Sequence, residues 1–132
     1  MSAQGYPEAA LVANRTSLLL CGGSDSDRRA WAEEAASNFE GEGPLRVATD
    51  DAQLLQAFAT ARGVVFIPDV SAISSNRQGE LVRILRLREE RPKFVVGIAG
   101  SPVTAREQGR IRWDLSYVLQ VARVNLDDPA VK

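Results

Sequence analysis

A chain of 132 residues, 45% hydrophobic and 25% charged, is long enough for one domain around a single apolar core. Its formal net charge of −1 gives no general attraction to nucleic acid, so direct nucleic-acid binding is not expected. With no histidine and one cysteine, the chain cannot form a structural zinc site, a Ser-His-Asp triad or an internal disulfide, and histidine acid–base chemistry is also excluded.

The first elements of the chain lead to a loop on which the functional interpretation depends. Residues 1–8 are expected to be loose, with Pro7 marking the start of a short helix. An apolar run at 17–21 then predicts a buried strand, and apolar residues at helical spacing over 30–39 predict a helix after it. Between this strand and this helix lies a loop that consists of Gly22, Gly23, Ser24, Asp25, Ser26, Asp27 and Arg28.

This loop stands where α/β proteins commonly bind phosphate, because the N–H groups of a glycine turn and the positive helix end face that point. Ser24 and Asp27 predict a capping box, but the charges of Asp25 and Asp27 repel a nucleotide phosphate. A working phosphate loop, G-x-x-x-x-G-K-[ST], needs a second glycine and a lysine, and both are missing. Arg28 occupies the place of the lysine. We predict a phosphate loop in position only, with residual nucleotide binding as the alternative.

Strands and helices alternate along the chain with short connections. The apolar runs that predict strands lie at 17–21, 45–48, 63–67, 94–99 and 121–126. This alternation predicts an α/β fold with one parallel five-stranded sheet and helices on both faces, in which the 63–67 run is the central strand. One helix is expected to run from Ser74 to about Glu90. Its arginines alternate with glutamates, which favours a solvated face over a nucleic-acid surface.

Three later segments carry a family resemblance. Residues 109–119 read G-R-I-R-W-D-L-S-Y-V-L and match the pattern G-R-F-R-x-D-L-x-Y-R-L at most positions. Residues 78–87 are similar to a Q-x-x-L-L-R-V-L-Q helix, and residues 63–70 to a G-T-L-F-L-D-E-[IV] strand. In this order, these segments resemble the AAA+ domain of sigma-54-dependent bacterial transcription activators, also called enhancer-binding proteins. The resemblance implies a three-layer, P-loop NTPase-like fold whose first strand lies between the fourth and the fifth.

The departures from the family pattern fall on the parts that the family uses to hydrolyse ATP. Pro68 stands where the family has the Walker B aspartate that holds magnesium, and Asp69 stands at the neighbouring glutamate position. Ser101 replaces a polar sensor asparagine. Of the two arginines that the family extends to a neighbouring subunit's nucleotide, Arg112 remains and the other position is Val118. We therefore predict a pseudo-ATPase with no bound cofactor and no metal.

The resemblance also implies that whole parts of the family architecture are missing. The segment between Arg28 and Pro68 is too short for the family's insertion with the G-A-F-T-G-A loop, and no lid or helix-turn-helix follows the last strand. We expect a single truncated AAA+-like domain over residues 1–132. Because no apolar run is long enough to cross a bilayer and no signal-peptide pattern opens the chain, we expect a cytoplasmic protein without membrane contact.

These observations lead to one predicted function and one alternative. We predict a catalytically inactive AAA+-like interaction or regulatory module in bacterial signalling or sigma-54-type transcriptional control, with an intact AAA+ activator or another copy of itself as the protein partner. Its predicted interaction residues are Arg112, Trp113 and Tyr117. Other interpretations of these residues are an ion pair of Arg112 with Asp114 or Glu107, and burial of the aromatics in the core. The alternative function is a switch that binds a nucleotide without hydrolysing it.

Overall fold

The computed structural model describes the backbone of residues 2–3 and 6–128, and the side chains from residue 10 onward. The strands are β1 (Leu18–Cys21), β2 (Arg46–Val47), β3 (Val64–Ile67), β4 (Lys93–Ile98) and β5 (Arg123–Asn125). The helices are α1 (Glu8–Ala13), α2 (Asp25–Ser37), α3 (Asp51–Phe58), α4 (Ser75–Leu87), α5 (Pro102–Glu107) and α6 (Trp113–Leu119). Short 3-10 turns are Glu40–Glu42, Val70–Ala72 and Gln120–Ala122.

The five strands form one parallel sheet in the order β2-β3-β4-β1-β5. The predicted fold class is confirmed, and so is the predicted place of β1 between β4 and β5. The expectation that the 63–67 run is the central strand is wrong, because β4 has two strands on each side. The residues of β3 and β4 are all buried, so their sequence patterns do not show which strand is central. The helical crossovers decide the order.

Helices cover both faces of the sheet and make three layers. On one face, Leu11 of α1 and Ala32 of α2 belong to the same buried cluster as Leu18 and Leu20 of β1. On the other face, Leu19 of β1 joins a second cluster that includes buried residues of α3, α4, α5 and α6. Successive side chains of a strand point to opposite faces, so β1 contributes to both cores. Full burial of one such leucine contributes about 1.5–3 kcal/mol.

The amino-terminal segment differs from the sequence expectation. Ser2–Ala3 pairs with Tyr6–Pro7 as a short antiparallel ladder, so the described part of residues 1–8 has backbone pairing where loose chain was expected. Pro7 therefore ends a strand, and α1 begins one residue later at Glu8. The rest of that expectation, at residues 1, 4 and 5, lies outside the described residues.

Helix α4 ends at Leu87, three residues before its predicted end near Glu90. Arg88 has an extended backbone, and its guanidinium donates hydrogen bonds to the carbonyl oxygens of Phe58 and Thr60. The last carbonyl groups of a helix accept no hydrogen bond from within the helix. The carbonyl groups of Phe58 and Thr60 lie at and just after the end of α3 and accept from Arg88 instead. Arg88 therefore joins two helix ends and does not belong to a free basic surface.

Lys93 is a buried cation at the start of β4, with no exposed surface. Its Nζ donates hydrogen bonds to the carbonyl oxygens of Leu11 at 2.7 Å, Asn14 at 2.8 Å and Thr16 at 2.5 Å. Burial lowers the pKa of Lys93 to about 8. The carbonyls in the last turn of α1 and just after it favour a cation, so Lys93 holds that helix against the central strand at the cost of desolvation.

Glu42 joins three parts of the chain at the amino ends of the strands. Its carboxylate accepts hydrogen bonds from both terminal nitrogens of Arg15 and from the N–H of Gly63, the last at 2.8 Å. The bond with Arg15, followed by the bond with Gly63, lowers the pKa of Glu42 from 4.5 to about 2. The stabilising contribution of Glu42 is therefore present above pH 4.5 and is lost as the pH falls towards 2.

Replacing Glu42 with glutamine should remove this pH dependence. We expect Glu42→Gln to be less stable than the wild type at pH 7, and the difference to shrink between pH 4.5 and 2 as the wild-type carboxylate is protonated. Urea unfolding followed by circular dichroism at several pH values measures the effect. Glu40→Gln is the control, since Glu40 is exposed and forms no ion pair within the described residues. Parallel profiles for Glu42→Gln and the wild type would contradict the assignment.

Candidate functional site

The loop between β1 and α2 lies at the carboxyl edge of the sheet. Gly22 and Gly23 both have positive φ, 76° and 65°, a backbone conformation that favours glycine. The predicted capping box forms: the Asp27 N–H donates to Ser24 Oγ at 3.0 Å, and the Ser24 N–H donates to Asp27 Oδ2 at 2.9 Å. The turn and the helix start are therefore those of a strand–glycine–helix phosphate loop, with a carboxylate already at its first amides.

Arg28 is turned inward beneath this loop and is only 3% exposed. Its Nη1 donates to the carbonyl oxygens of Gly22 at 2.8 Å and Gly23 at 3.1 Å, and its Nη2 pairs with Asp25. Its Nε donates to the carbonyl oxygen of Pro68 at 3.2 Å. The lysine of a phosphate loop reaches out to phosphate oxygens, whereas this arginine donates to the backbone of its own loop.

A carboxylate from the other end of the chain also contacts the loop. The Gly23 N–H donates to Asp127 Oδ1 at 3.0 Å, and a Cβ on Gly22 would lie 2.1 Å from Asp127 Oδ2. The Gly22 N–H is bonded to the carbonyl oxygen of Ile98. The amides of Gly22, Gly23 and Ser24 are thus all bonded within this chain. Asp127 is not among the site residues predicted from the sequence, where its only signal is an acidic residue just after the last strand.

Pro68 and Asp69, at the degenerate Walker B positions, follow β3 and face this loop through the Arg28 contact. The Asp69 carboxylate accepts hydrogen bonds from the N–H and hydroxyl of Ser71, at 2.9 and 2.6 Å, and so caps the next 3-10 turn. Pro68 offers its carbonyl oxygen to Arg28. Within the described residues, no group of three or more histidine, cysteine, aspartate or glutamate side chains is placed to hold a metal ion.

A cleft of about 260 Å³ opens beside the loop, at the carboxyl ends of β1, β4 and β5. Cys21, Ser101, Arg123 and Asp127 contribute to its lining. Burial raises the pKa of the Cys21 thiol to about 11, so this cysteine stays protonated at neutral pH. Pockets for drug-sized ligands measure about 300–1,000 Å³, so the cleft is small for a nucleotide.

Gln78 holds in position the second candidate region, which is the segment that leads into α6. Its side chain is 2% exposed, and its Nε2 donates to the carbonyl oxygens of Val70, Ile73 and Arg110 at 3.2, 2.9 and 3.1 Å. Its Oε1 accepts the N–H of Arg112 at 2.9 Å. One buried amide thus fixes the segment that follows β3 and the segment that leads into α6 relative to α4.

Arg112 forms an ion pair with Asp114, which was one of the two pairings that the sequence allowed for it. Its Nε and Nη2 donate to the two carboxylate oxygens at 2.9 and 3.0 Å, and this pairing lowers the pKa of Asp114. Its Nη1 donates to the carbonyl oxygen of Ser75 at 3.2 Å and would lie 2.9 Å from a Cβ on Gly79. Arg112 is therefore tied to α4, with 38% of its side chain exposed.

Trp113 and Tyr117 are exposed, at 66% and 65% of their surface. The interpretation that they are buried in the core is therefore wrong. The guanidinium of Arg106 lies over the Trp113 ring, 4.5 Å from its centre, and covers part of it. Trp113 and Tyr117 therefore lie on the outer surface of α6, where the structure leaves them largely uncovered.

Known structures share this fold. NtrX from Brucella abortus, in complex with ADP, matches with a TM-score of 0.69 at 15% identity over 90% of this chain, which spans 34% of the NtrX chain. The P-loop NTPase domain of the sigma-54 transport activator from E. coli gives 0.65 at 20% identity, over 89% of this chain and 87% of that domain. A DNA polymerase III gamma subunit-related protein from Thermotoga maritima gives 0.61 at 11% identity, over 92% and 45%.

No protein-family model and no curated protein matches the sequence. The structural matches show the fold, and that fold is the P-loop NTPase-like α/β type that the resemblance at 63–70, 78–87 and 109–119 implied. Within the described residues, no helix is long and apolar enough to cross a membrane. The chain has the P-loop NTPase-like α/β fold of sigma-54 activator domains.

The inward position of Arg28 can be tested by unfolding. We expect Arg28→Met to lose about 2–4 kcal/mol of unfolding free energy, because the carbonyl oxygens of Gly22, Gly23 and Pro68 lose their donors. Arg29→Met is the matched control, since Arg29 is the next residue of α2 and is exposed. Its side chain forms no hydrogen bond or ion pair within the described residues. Equal losses for the two variants in urea unfolding would disprove the structural role of Arg28.

Proposed function

We propose that this chain is a catalytically inactive AAA+-like module that acts by binding a protein partner, within bacterial signalling or sigma-54-type transcriptional control. The observation that carries the proposal is the state of the loop: its arginine points inward to backbone carbonyls, and its first amides are bonded to carboxylates and a carbonyl of the same chain. A phosphate would have to displace these contacts and approach the charges of Asp25 and Asp27.

Two further features support inactivity. Catalysis in P-loop NTPases requires a magnesium ion held in part by a Walker B carboxylate, and Pro68 has no side-chain ligand atom. The neighbouring Asp69 bonds to Ser71. With the loop lysine also replaced, the chain lacks the residue that binds phosphate and the residue that holds magnesium in P-loop NTPases. The cytoplasm, where sigma-54-type control takes place, is its proposed location.

The proposed contact surface is the start of α6, with Arg112, Trp113 and Tyr117. Exposed aromatic side chains beside an arginine are the residue types that dominate the energy of protein interfaces. In the resembled family, the segment that corresponds to Arg112 reaches a neighbouring subunit. The proposed partner is accordingly an intact AAA+ activator subunit or a second copy of this chain.

A switch that binds nucleotide without hydrolysing it is the second candidate. It is favoured by the fold shared with NtrX, of which structures with ADP and ATP are known. The two candidates differ in the affinity of the loop for nucleotide.

For the inactive module, we expect ATP to bind more weakly than a Kd of about 1 mM, which corresponds to less than about 4 kcal/mol. The reason is that the loop amides and Arg28 already have partners. Calorimetric titration of the protein with ATP, with and without magnesium, measures the affinity, and an amide NMR titration locates any binding. Sub-micromolar, magnesium-dependent binding would reject the inactive module and support the switch.

The contact surface gives a second prediction. We expect Trp113→Ala to weaken capture of an intact sigma-54 activator AAA+ domain at least about tenfold, with little change in melting temperature, because the side chain is mostly exposed. Leu87→Ala is the matched control, since Leu87 is 78% exposed at the end of α4.

Arg112→Ala tests the contact and the scaffold together. Because Arg112 is bonded to Asp114 and Ser75, its loss should lower the melting temperature as well as partner binding. If neither Trp113→Ala nor Arg112→Ala changes partner binding, α6 is not the contact surface.

A further inference from the structure

A pocket lies at the amino ends of the strands, at the opposite edge of the sheet from the phosphate-loop position. It has a volume of about 290 Å³ and lies between the end of α4, the end of α6 and the residues around the start of β1. Its apolar wall consists of Leu85, Val118, Leu119 and Val121. Leu85 and Leu119 are buried, whereas Val121 is 64% exposed. The amino-edge pocket is thus apolar inside and open to solvent at its rim.

The other side of the amino-edge pocket carries unused hydrogen-bond donors. Arg91 lines it, and its Nη1 donates to the carbonyl oxygen of Arg88 at 2.6 Å. Its other two nitrogens form no hydrogen bond within the described residues, and the exposed glutamates at 89–90 do not pair with it. Ser17 is 7% exposed, and its Oγ accepts the N–H of Phe94 at 3.0 Å but donates to no acceptor in the described part of the chain. Both side chains can therefore still donate to a ligand.

Positive charge exceeds negative charge around this pocket. Arg15 is the second arginine in its lining, and Glu42 pairs with it. Glu42 is shared, however, because Nη1 of Arg62 lies 3.9 Å from the same carboxylate. Among the described residues that line the pocket, none is acidic. Arg91 therefore contributes a positive charge that no described carboxylate neutralises by direct pairing.

The carboxyl edge of the sheet has the opposite charge. There the carboxylates of Asp25, Asp27 and Asp127 surround the glycine turn after β1. An anion is repelled from that edge and attracted to the amino edge, where arginines line the pocket. The charge distribution thus favours the amino-edge pocket over the phosphate-loop position as the place where an anion binds.

We propose that the amino-edge pocket binds an amphipathic anion, which is a small molecule with a carboxylate or phosphate head and a short aliphatic tail. The head accepts hydrogen bonds from Arg91 and Ser17, and the tail packs against the apolar wall. The volume lies just below the 300–1,000 Å³ of pockets for drug-sized ligands, which suits a short tail. The proposal is independent of the proposed function, because it uses neither the loop after β1 nor the exposed aromatic side chains of α6.

Calorimetric titration of the full chain with octanoate and with octyl phosphate tests the proposal. We expect saturable one-to-one binding with a Kd below about 1 mM for at least one of the two, and the tighter of them identifies the preferred head. From octanoate to butanoate, the affinity should fall about fourfold for each methylene removed, because each buried methylene contributes to binding. Octylamine has the same tail with a positive head and should bind at least about tenfold more weakly.

Two variants test the two sides of the pocket, each with a matched control. Arg91→Met removes a partner of the head and should weaken binding of the tighter probe at least about tenfold, whereas Arg83→Met changes an exposed arginine of α4 that does not line the pocket. Val121→Asp places a negative charge at the exposed rim and should weaken binding similarly. Val103→Asp makes the same change on α5, at the carboxyl edge, and should leave binding unchanged. Circular dichroism melting checks that each variant is folded.

An amide NMR titration with the same probes locates the bound ligand. We expect the largest shifts at Ser17, Leu119 and Val121, with the amides of Gly22 and Gly23 unchanged. Four results would overturn the proposal: no saturation by either probe up to about 10 mM, equal affinity for butanoate and octanoate, shifts confined to the loop after β1, or a folded Val121→Asp variant that binds like the wild type. The last result decides the matter even if Arg91→Met does not fold.

Discussion

The guanidinium of Arg28 is the contact on which the carboxyl edge of this sheet depends. It lies under the glycine turn after β1 and donates to the turn and to Pro68 after β3, so it joins loops from two non-adjacent strands across β4. Gly97 of β4 makes room for it, since a Cβ there would lie 2.4 Å from the Pro68 carbonyl oxygen and 2.9 Å from Arg28 Cδ. Arg28 stands at the position of the phosphate-loop lysine, but its guanidinium is part of the structural scaffold.

The α6 surface follows from a second buried polar group. Gln78 satisfies three carbonyls and one N–H from segments on both sides of α4, and a buried amide with all these bonds holds its surroundings in one arrangement. Arg112 adds bonds to Ser75 and Asp114. With Leu115 and Leu119 turned into the core, Trp113 and Tyr117 can only face outward. Their exposure is a consequence of how α6 is anchored.

The proposed function depends on which groups occupy the carboxyl edge of the sheet. The edge that would bind nucleotide is occupied by the chain's own groups, which favours an activity based on binding. Lys93 takes no part in this edge: it is fully buried and bonds to the carbonyl oxygens of Leu11 and Asn14 at the end of α1, so it contributes to the fold alone.

The sequence alone determined the fold class and the capping box at Ser24 and Asp27, because apolar period and turn residues are local properties that short segments carry. The place of β1 was implied by the family resemblance of the segments at 63–70, 78–87 and 109–119. The sequence could not show which of the 63–67 and 93–98 runs is the central strand, since a central position depends on crossovers and not on composition. Nor could it reveal that Asp127 meets Gly23, a contact across 104 residues. Only the tertiary structure decided that Arg28 points inward and Trp113 outward, because helical spacing leaves the direction of a face open until its neighbours are in place.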